Sequence, residues 1–161
     1  MNEDLNKPDS IPETYATASA PDLGLDLEEC LAPERSDPCT VVIFGATGDL
    51  TARKLIPALY DLYMNNGLPD PFVIVGCGRT QLEDRTFRDK MEDALNNAGK
   101  FDRAKWPDFA KALHYRVIDY ENRESYQNLA ESLRSLDKEF NTRGNCVFYI
   151  ALPPTLYTSV A

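Results

Sequence analysis

From residue 40 onward the chain alternates short, unbroken apolar runs with longer stretches of helical periodicity. "TVVIF" (40–44) is apolar and β-branched throughout, as a strand covered on both faces requires. In the stretch that follows, Leu55, Leu59, Leu62 and Tyr63 recur at helical spacing, and "NNGLPDP" supplies the stop and the turn. The pattern then repeats. "FVIVG" (72–76) predicts a second strand, 83–97 a polar helix, and "RAKWPDFAKAL" a short helix broken around Pro107. "YRVIDY" (115–120) predicts a third strand. Residues 122–140 predict a helix with Tyr126, Leu129, Leu133, Leu136 and Phe140 on one stripe, and "CVFYIAL" (146–152) a fourth strand. Strands alternating with helical crossovers imply an α/β fold: a doubly wound, Rossmann-like, mainly parallel sheet with helices on both faces.

Such a sheet binds ligands beyond the carboxyl ends of its strands. Gly45 stands where the first strand must turn sharply into a helix, and only a residue without Cβ lets backbone and ligand approach closely there. Gly48 is expected in the first turn of that helix, where free N–H groups and the positive end of the dipole favour an anion. With Ala46 and Thr47 between them, the pattern is G-x-x-G and meets the dinucleotide fingerprint G-x-G-x-x-G only in part. A tight strand-to-helix turn with no ligand is the plainer alternative. The end of the second strand helps to decide. NAD sites place an acid there against the ribose 2′-hydroxyl, whereas "VGCGRTQ" holds no acid before Glu83. It offers instead the guanidinium of Arg79 and the hydroxyl of Thr80, both suited to a 2′-phosphate, so NADP is favoured over NAD.

Charge divides the chain. Residues 1–37 carry ten acids and two bases; residues 38–161 carry sixteen acids and fifteen bases. Residues 1–38, with five prolines and few aromatics, are expected to form an acidic, disordered tail in which 23–31 can form a transient helix; 39–161 are the expected folded domain. The folded part has no basic surface for nucleic acid, no apolar run spans a membrane, and the acidic N-terminus suits neither a secretory signal nor a transit peptide. The four cysteines, Cys30, Cys39, Cys77 and Cys146, form no C-x-x-C pair; they are expected to be buried free thiols in a reducing cytoplasm, with no metal site. The single histidine, His114, is expected to begin the third strand in a structural role.

"FGATGDLTARKLIPALYDLY", followed in order by "IVGCGRTQL", "SYQNL" and "FYIALPPTLY", closely resembles the coenzyme-binding segment of the glucose-6-phosphate dehydrogenase family. The resemblance covers 41–161. It implies that Gly45, Ala46, Thr47, Gly48, Asp49 and Leu50 wrap the NADP pyrophosphate and that Arg79 and Thr80 grip its 2′-phosphate. It also implies that Lys54 lies between cofactor and glucose 6-phosphate, and that 149–154, with Tyr149, Ala151 and Pro153, shape the nicotinamide pocket. The implied reaction, at the entry to the pentose phosphate pathway of carbohydrate metabolism, is hydride transfer from C1 of glucose 6-phosphate to NADP. In this family a larger α+β domain follows and supplies most of the sugar site and the subunit interface. The family's D-H-Y-L-G-K motif and its downstream histidine base do not occur in these residues. The domain is therefore expected to be incomplete at its C-terminal end. It would hold no catalytic residue, be inactive alone, and meet glucose 6-phosphate only when the missing domain is supplied. A stand-alone NADP-binding or regulatory module is the alternative. A short-chain reductase, which can share "GATG", would need a third glycine and a Tyr-x-x-x-Lys pair, and neither occurs.

Overall fold

The computed structural model describes residues 36–160. The expected tail up to residue 35, its transient helix and Cys30 lie outside the described residues. The chain enters β1, Cys39–Phe44, turns through Gly45–Gly48, and passes by way of a π-helical turn, Thr51–Leu55, into α1, Ile56–Met64. Then come β2, Phe72–Gly78; α2, Asp84–Asn97; α3, Trp106–Lys111; and β3, Leu113–Val117. The chain ends with α4, Arg123–Phe140; β4, Cys146–Ile150; a 3-10 turn, Pro154–Leu156; and α5, Tyr157–Val160. The four strands form one parallel sheet in the order β3-β2-β1-β4.

That order puts β1 in the middle: the chain winds outward through β2 and β3, then returns to the other side of β1 as β4. The sheet is covered from both sides. On one face Ile43, Ile74, Leu113 and Tyr115 meet Ile56 and Tyr60 of α1, Phe87, Met91 and Leu95 of α2, and Trp106 and Phe109 of α3. On the other, Val42, Phe44, Val73, Val75 and Cys77 meet Leu129 and Leu136 of α4, with Tyr126, Leu133 and Phe140 beside them. The stripe read along 122–140 is therefore the one that faces the sheet. Asn122 caps α4 by accepting from the Glu124 N–H at 2.9 Å, and Asn141, at φ 57°, ends it in the left-handed conformation.

Several sequence expectations shift. The buried face of α1 is centred on Ile56 and Tyr60, while Leu62 is 46% exposed. Leu62 lies about 200° around the helix from Tyr60 and so points away from the sheet. Pro107 does not break a helix; it occupies the first turn of α3, where a missing N–H costs nothing. The third strand begins two residues earlier than 115 and ends at Val117, so His114 is its second residue; Ile118 and Tyr120 lie beyond its end and pack against the α4 side. The fourth strand stops at Ile150, and Val147, Phe148 and Tyr149 are exposed on it. The thiols are free but not uniformly buried: Cys77 is buried, Cys39 partly so, and Cys146, at the start of β4, is exposed.

One polar cluster joins the two helical layers through β3. The Asp84 carboxylate, at the start of α2, accepts from the Tyr115 N–H at 2.7 Å and from Arg116 Nη1 at 3.1 Å, and lies 3.1 Å from His114 Nδ1. Arg116 Nε donates in turn to Ser132 on α4. Burial pushes the Asp84 pKa up, but the three donors outweigh it and the net shift is downward. His114 is buried, its ring edge-on to Phe140 at 5.6 Å, and its Nε2 is buried without a hydrogen-bond partner. Burial lowers the His114 pKa, and Arg88 and Arg116 act in the same direction; Asp84 opposes them without prevailing. His114 is thus the neutral tautomer donating from Nδ1 to Asp84, a structural residue.

A base whose folded-state pKa is depressed takes up its proton more readily when unfolded. Stability from neutral His114 is therefore fully present above the ordinary histidine value of about 6.5 and is lost as pH falls below it toward the folded-state value. Asp84, also depressed, contributes above its ordinary range and is lost only at more acid pH. With one histidine in the chain, the midpoint of thermal unfolding is expected to be level from pH 8 to 7 and to fall between pH 6.5 and 5. His114→Gln should flatten that slope; a wild-type profile without one would contradict a buried neutral imidazole.

Candidate cofactor site

The residues singled out by sequence gather at the carboxyl rim of the sheet, around the end of β1. Gly45 has φ +84°, a conformation that L side chains rarely adopt, and a Cβ there would lie 2.3 Å from the Ala151 carbonyl oxygen. The turn is bound on every side. The Gly45 and Ala46 N–H groups both donate to the Cys77 carbonyl, at 2.9 and 3.0 Å, and the Gly48 N–H donates to the Gly45 carbonyl at 2.9 Å. Thr51 Oγ1 donates to that same carbonyl at 3.2 Å, and the Ala151 N–H to the Phe44 carbonyl at 2.9 Å. The loops that leave β1 and β4, on the two sides of the switch in winding direction, therefore touch at Gly45.

Ala46 is fully buried and faces β2 where Gly76 leaves room: a Cβ on Gly76 would meet the Ala46 Cβ at 2.8 Å and the Phe87 ring at 2.6 Å. The close helix-to-strand approach that the third glycine of the fingerprint permits is made here from the strand side. Thr47, Gly48, Asp49 and Leu50 are exposed. Gly48 stands at the bend just ahead of the helix rather than within its first turn, and a Cβ on it would meet only the Gly45 carbonyl, at 3.1 Å. Asp49 and Leu50 begin the helical backbone, where N–H groups lack intrahelical acceptors. Open space beside Gly48, free N–H donors and the positive end of a helix fit a pyrophosphate. The ion pair of Asp49 with Arg53 spans 3.5 Å between largely exposed side chains and contributes little.

Arg79 and Thr80 follow directly on β2 and are exposed at the same rim. Their loop is tied to β3: Tyr115 Oη donates to the Thr80 carbonyl at 2.9 Å. Tyr120, buried under the turn, stacks edge-on against Phe44 at 6.3 Å. Burial raises the Tyr120 pKa, and the Gly45 backbone and Arg79 act to lower it, so this hydroxyl lies near both candidate segments. Neither tyrosine stands out in the sequence, where both read as rungs of a strand. The signal was in β2: glycines at 76 and 78 on one face leave a slot that a large side chain on the next strand can enter. The Cys77 thiol between them is pushed up to about 12 by burial, with Arg116 opposing, and is chemically inert.

The remaining candidates are placed less centrally. Ala151 and Pro153 belong to the loop after β4, and Ala151 touches the Gly45 turn. Tyr149 sits inside β4, in register with Ile43 and short of the rim, with 44% of its surface exposed. Lys54, exposed on the π-helical turn, lines a shallow groove with Arg53, Lys90, Asp93 and Asn97. Among the described residues no group of three or more His, Cys, Asp or Glu could hold a metal ion, and no helix is long and apolar enough to cross a membrane.

Residues 42–161 match the family described as "Glucose-6-phosphate dehydrogenase, NAD binding domain". Among curated relatives, a glucose-6-phosphate 1-dehydrogenase of Chlamydia pneumoniae is 42% identical over 131 residues, covering 80% of this chain and 26% of the relative. One of Treponema pallidum is 40% identical over 126 residues, covering 76% and 24%. The chain thus spans about a quarter of the length of these relatives. A solved structure of glucose-6-phosphate dehydrogenase in complex with its substrate glucose 6-phosphate superposes with a TM-score of 0.70 at 30% identity, covering 81% of this chain and 27% of that one. The Mycobacterium avium enzyme superposes at 0.66 and 28% identity, covering 78% and 25%.

The environments of the two glycines separate fold from binding. A side chain at position 45 strikes the protein itself, so loss of binding there would report misfolding. Gly48→Val instead puts a branched side chain into open space beside the free N–H groups. It should leave the melting midpoint within a few degrees and weaken binding of a nicotinamide dinucleotide by at least about tenfold, roughly 1.4 kcal/mol. Calorimetric titration beside a thermal melt checks this; unchanged affinity would mean that no phosphate sits on this turn.

Proposed function

The chain belongs to the glucose-6-phosphate dehydrogenase family through its NAD binding domain, and on that premise we propose that residues 39–161 are the NADP-binding domain of a glucose-6-phosphate 1-dehydrogenase. The observation that carries the choice of NADP is the rim of β2. Arg79 and Thr80 stand exposed directly after Gly78, no carboxylate follows before Glu83, and the Tyr115 hydroxyl holds the loop. A carboxylate there would accept from a ribose 2′-hydroxyl and repel a 2′-phosphate; a guanidinium does the reverse.

In this reading the turn at 45–50 holds the pyrophosphate and Arg79 with Thr80 holds the 2′-phosphate. The 151–153 loop, seated on Gly45, walls the nicotinamide together with Tyr149, and Lys54 orients the sugar phosphate. Bound NADP supplies the hydride acceptor for C1 of glucose 6-phosphate. A general base must come within hydrogen-bond reach of the C1 hydroxyl. His114 cannot serve, because it is buried between Asp84 and Phe140 in a cluster that ties α2 to β3. No other residue of the domain is assigned the role, so the 161-residue polypeptide alone is proposed to bind cofactor without turnover. Its setting is proposed to be the cytoplasmic pentose phosphate pathway, within an oligomeric enzyme, with no nucleic-acid or membrane partner.

NADP is expected to bind more tightly than NAD. Arg79→Ala should cost NADP about tenfold to a hundredfold, the range of one charge-assisted contact, and leave NAD nearly unchanged. Equal losses for both cofactors would remove the 2′-phosphate assignment. Reduction of NADP that depends on glucose 6-phosphate, by the pure polypeptide, would require a base within these residues and would overturn the proposed inactivity.

A further inference from the structure

β2 and β3, the two strands on one side of β1, are joined at the candidate cofactor rim through one side chain. Tyr115 is 3% exposed and pairs across the sheet with Gly76. Its ring lies against Phe87 at 5.1 Å and continues past β2 over Gly78, where a Cβ would come within 2.7 Å of the hydroxyl. The same hypothetical Cβ would be 3.4 Å from Thr47 Oγ1, so the hydroxyl sits at the junction of the 45–48 turn and the 79–80 loop. Its hydrogen bond to the Thr80 carbonyl, at 2.9 Å, is the tie that the structure records between that loop and β3. The tyrosine is itself held: its N–H donates to Asp84 and its carbonyl accepts from Arg116 Nη1 at 2.6 Å.

We infer that Tyr115 is the positioning residue for coenzyme specificity: by pinning the Thr80 carbonyl it holds Arg79 and Thr80 where a 2′-phosphate is met, and so sets the preference for NADP over NAD. The inference rests on the proposed NADP reading. Two features make the pin effective. The hydroxyl, with a pKa raised to about 12 chiefly by burial, stays a donor throughout the neutral range. And Arg79 is exposed on a short loop directly after the strand, so its direction depends on the loop backbone. The glycine at 78 is explained at the same time, since any side chain there would displace the hydroxyl.

The test is calorimetric titration of the full chain with NADP and with NAD, for the wild type, Tyr115→Phe, Gly78→Ala and Arg79→Ala. Tyr115→Phe keeps the ring in its slot and removes only the hydroxyl. It should weaken NADP by about threefold to tenfold, the range of one neutral hydrogen bond, and leave NAD within twofold. Gly78→Ala, which pushes on the same hydroxyl, should shift the ratio of the two affinities in the same direction. A general loss of packing would lower both affinities together, so equal losses in Tyr115→Phe overturn the inference, as does an unchanged NADP affinity while Arg79→Ala loses it. If Tyr115→Phe fails to fold, Gly78→Ala decides by the same ratio. If Arg79→Ala leaves NADP untouched, the NADP reading fails and the inference with it.

Discussion

The site is built around a single steric constraint, the absence of room for a side chain at residue 45. With φ at +84° and the Ala151 carbonyl 2.3 Å from where a Cβ would stand, the backbone there touches the loop after β4. Because that contact is backbone to backbone, Gly45 and Ala46 can share the Cys77 carbonyl, Thr51 can reach back to the Gly45 carbonyl, and the chain can enter its first helix with free N–H groups facing outward. A larger residue would push the end of β1 away from the loop after β4 and disturb the candidate anion-binding turn.

The rim is supported from behind by groups that would not touch a ligand. Asp84 collects Tyr115, Arg116 and His114 and so ties the first turn of α2 to β3. Arg116 extends the tie to α4, while Tyr115 extends it forward to Thr80. A partly buried carboxylate with this many donors is well compensated, which is why its pKa falls despite partial burial. The neutral histidine beside it is the weaker member, since its second nitrogen, an acceptor in this tautomer, is buried without a donor. The tie to the candidate cofactor loop, the depressed histidine and the link between the helical layers thus share one short segment of β3.

Much of this was legible along the chain. Apolar runs, unbroken except in the third, marked the four strands, helical spacing marked α4 and its sheet-facing stripe, and the crossover lengths left a parallel sheet as the natural solution. Gly45 was legible because a strand running straight into a helix needs a residue that tolerates positive φ. The motif residues, with Arg79 in place of an acid, carried the resemblance that the family match supports. Less was legible where burial depends on neighbours. Leu62 fits a helical stripe yet faces outward, and Cys146 is apolar in a strand yet exposed, because neither position has an element packed over it among the described residues.

The sequence by itself determined which segments become strands and helices, where the chain turns on glycine, and which charged side chain follows β2. These are properties of periodicity, backbone freedom and residue chemistry, all local in the chain. Tertiary structure alone decided that Gly76 and Gly78 open a slot, that Tyr115 fills it and reaches Thr80, and that Asp84 gathers three donors from β3. Those contacts join residues 30 to 39 positions apart in the chain. They exist only because parallel pairing sets β3 in register with β2, and no local pattern encodes which side chain then stands opposite a glycine.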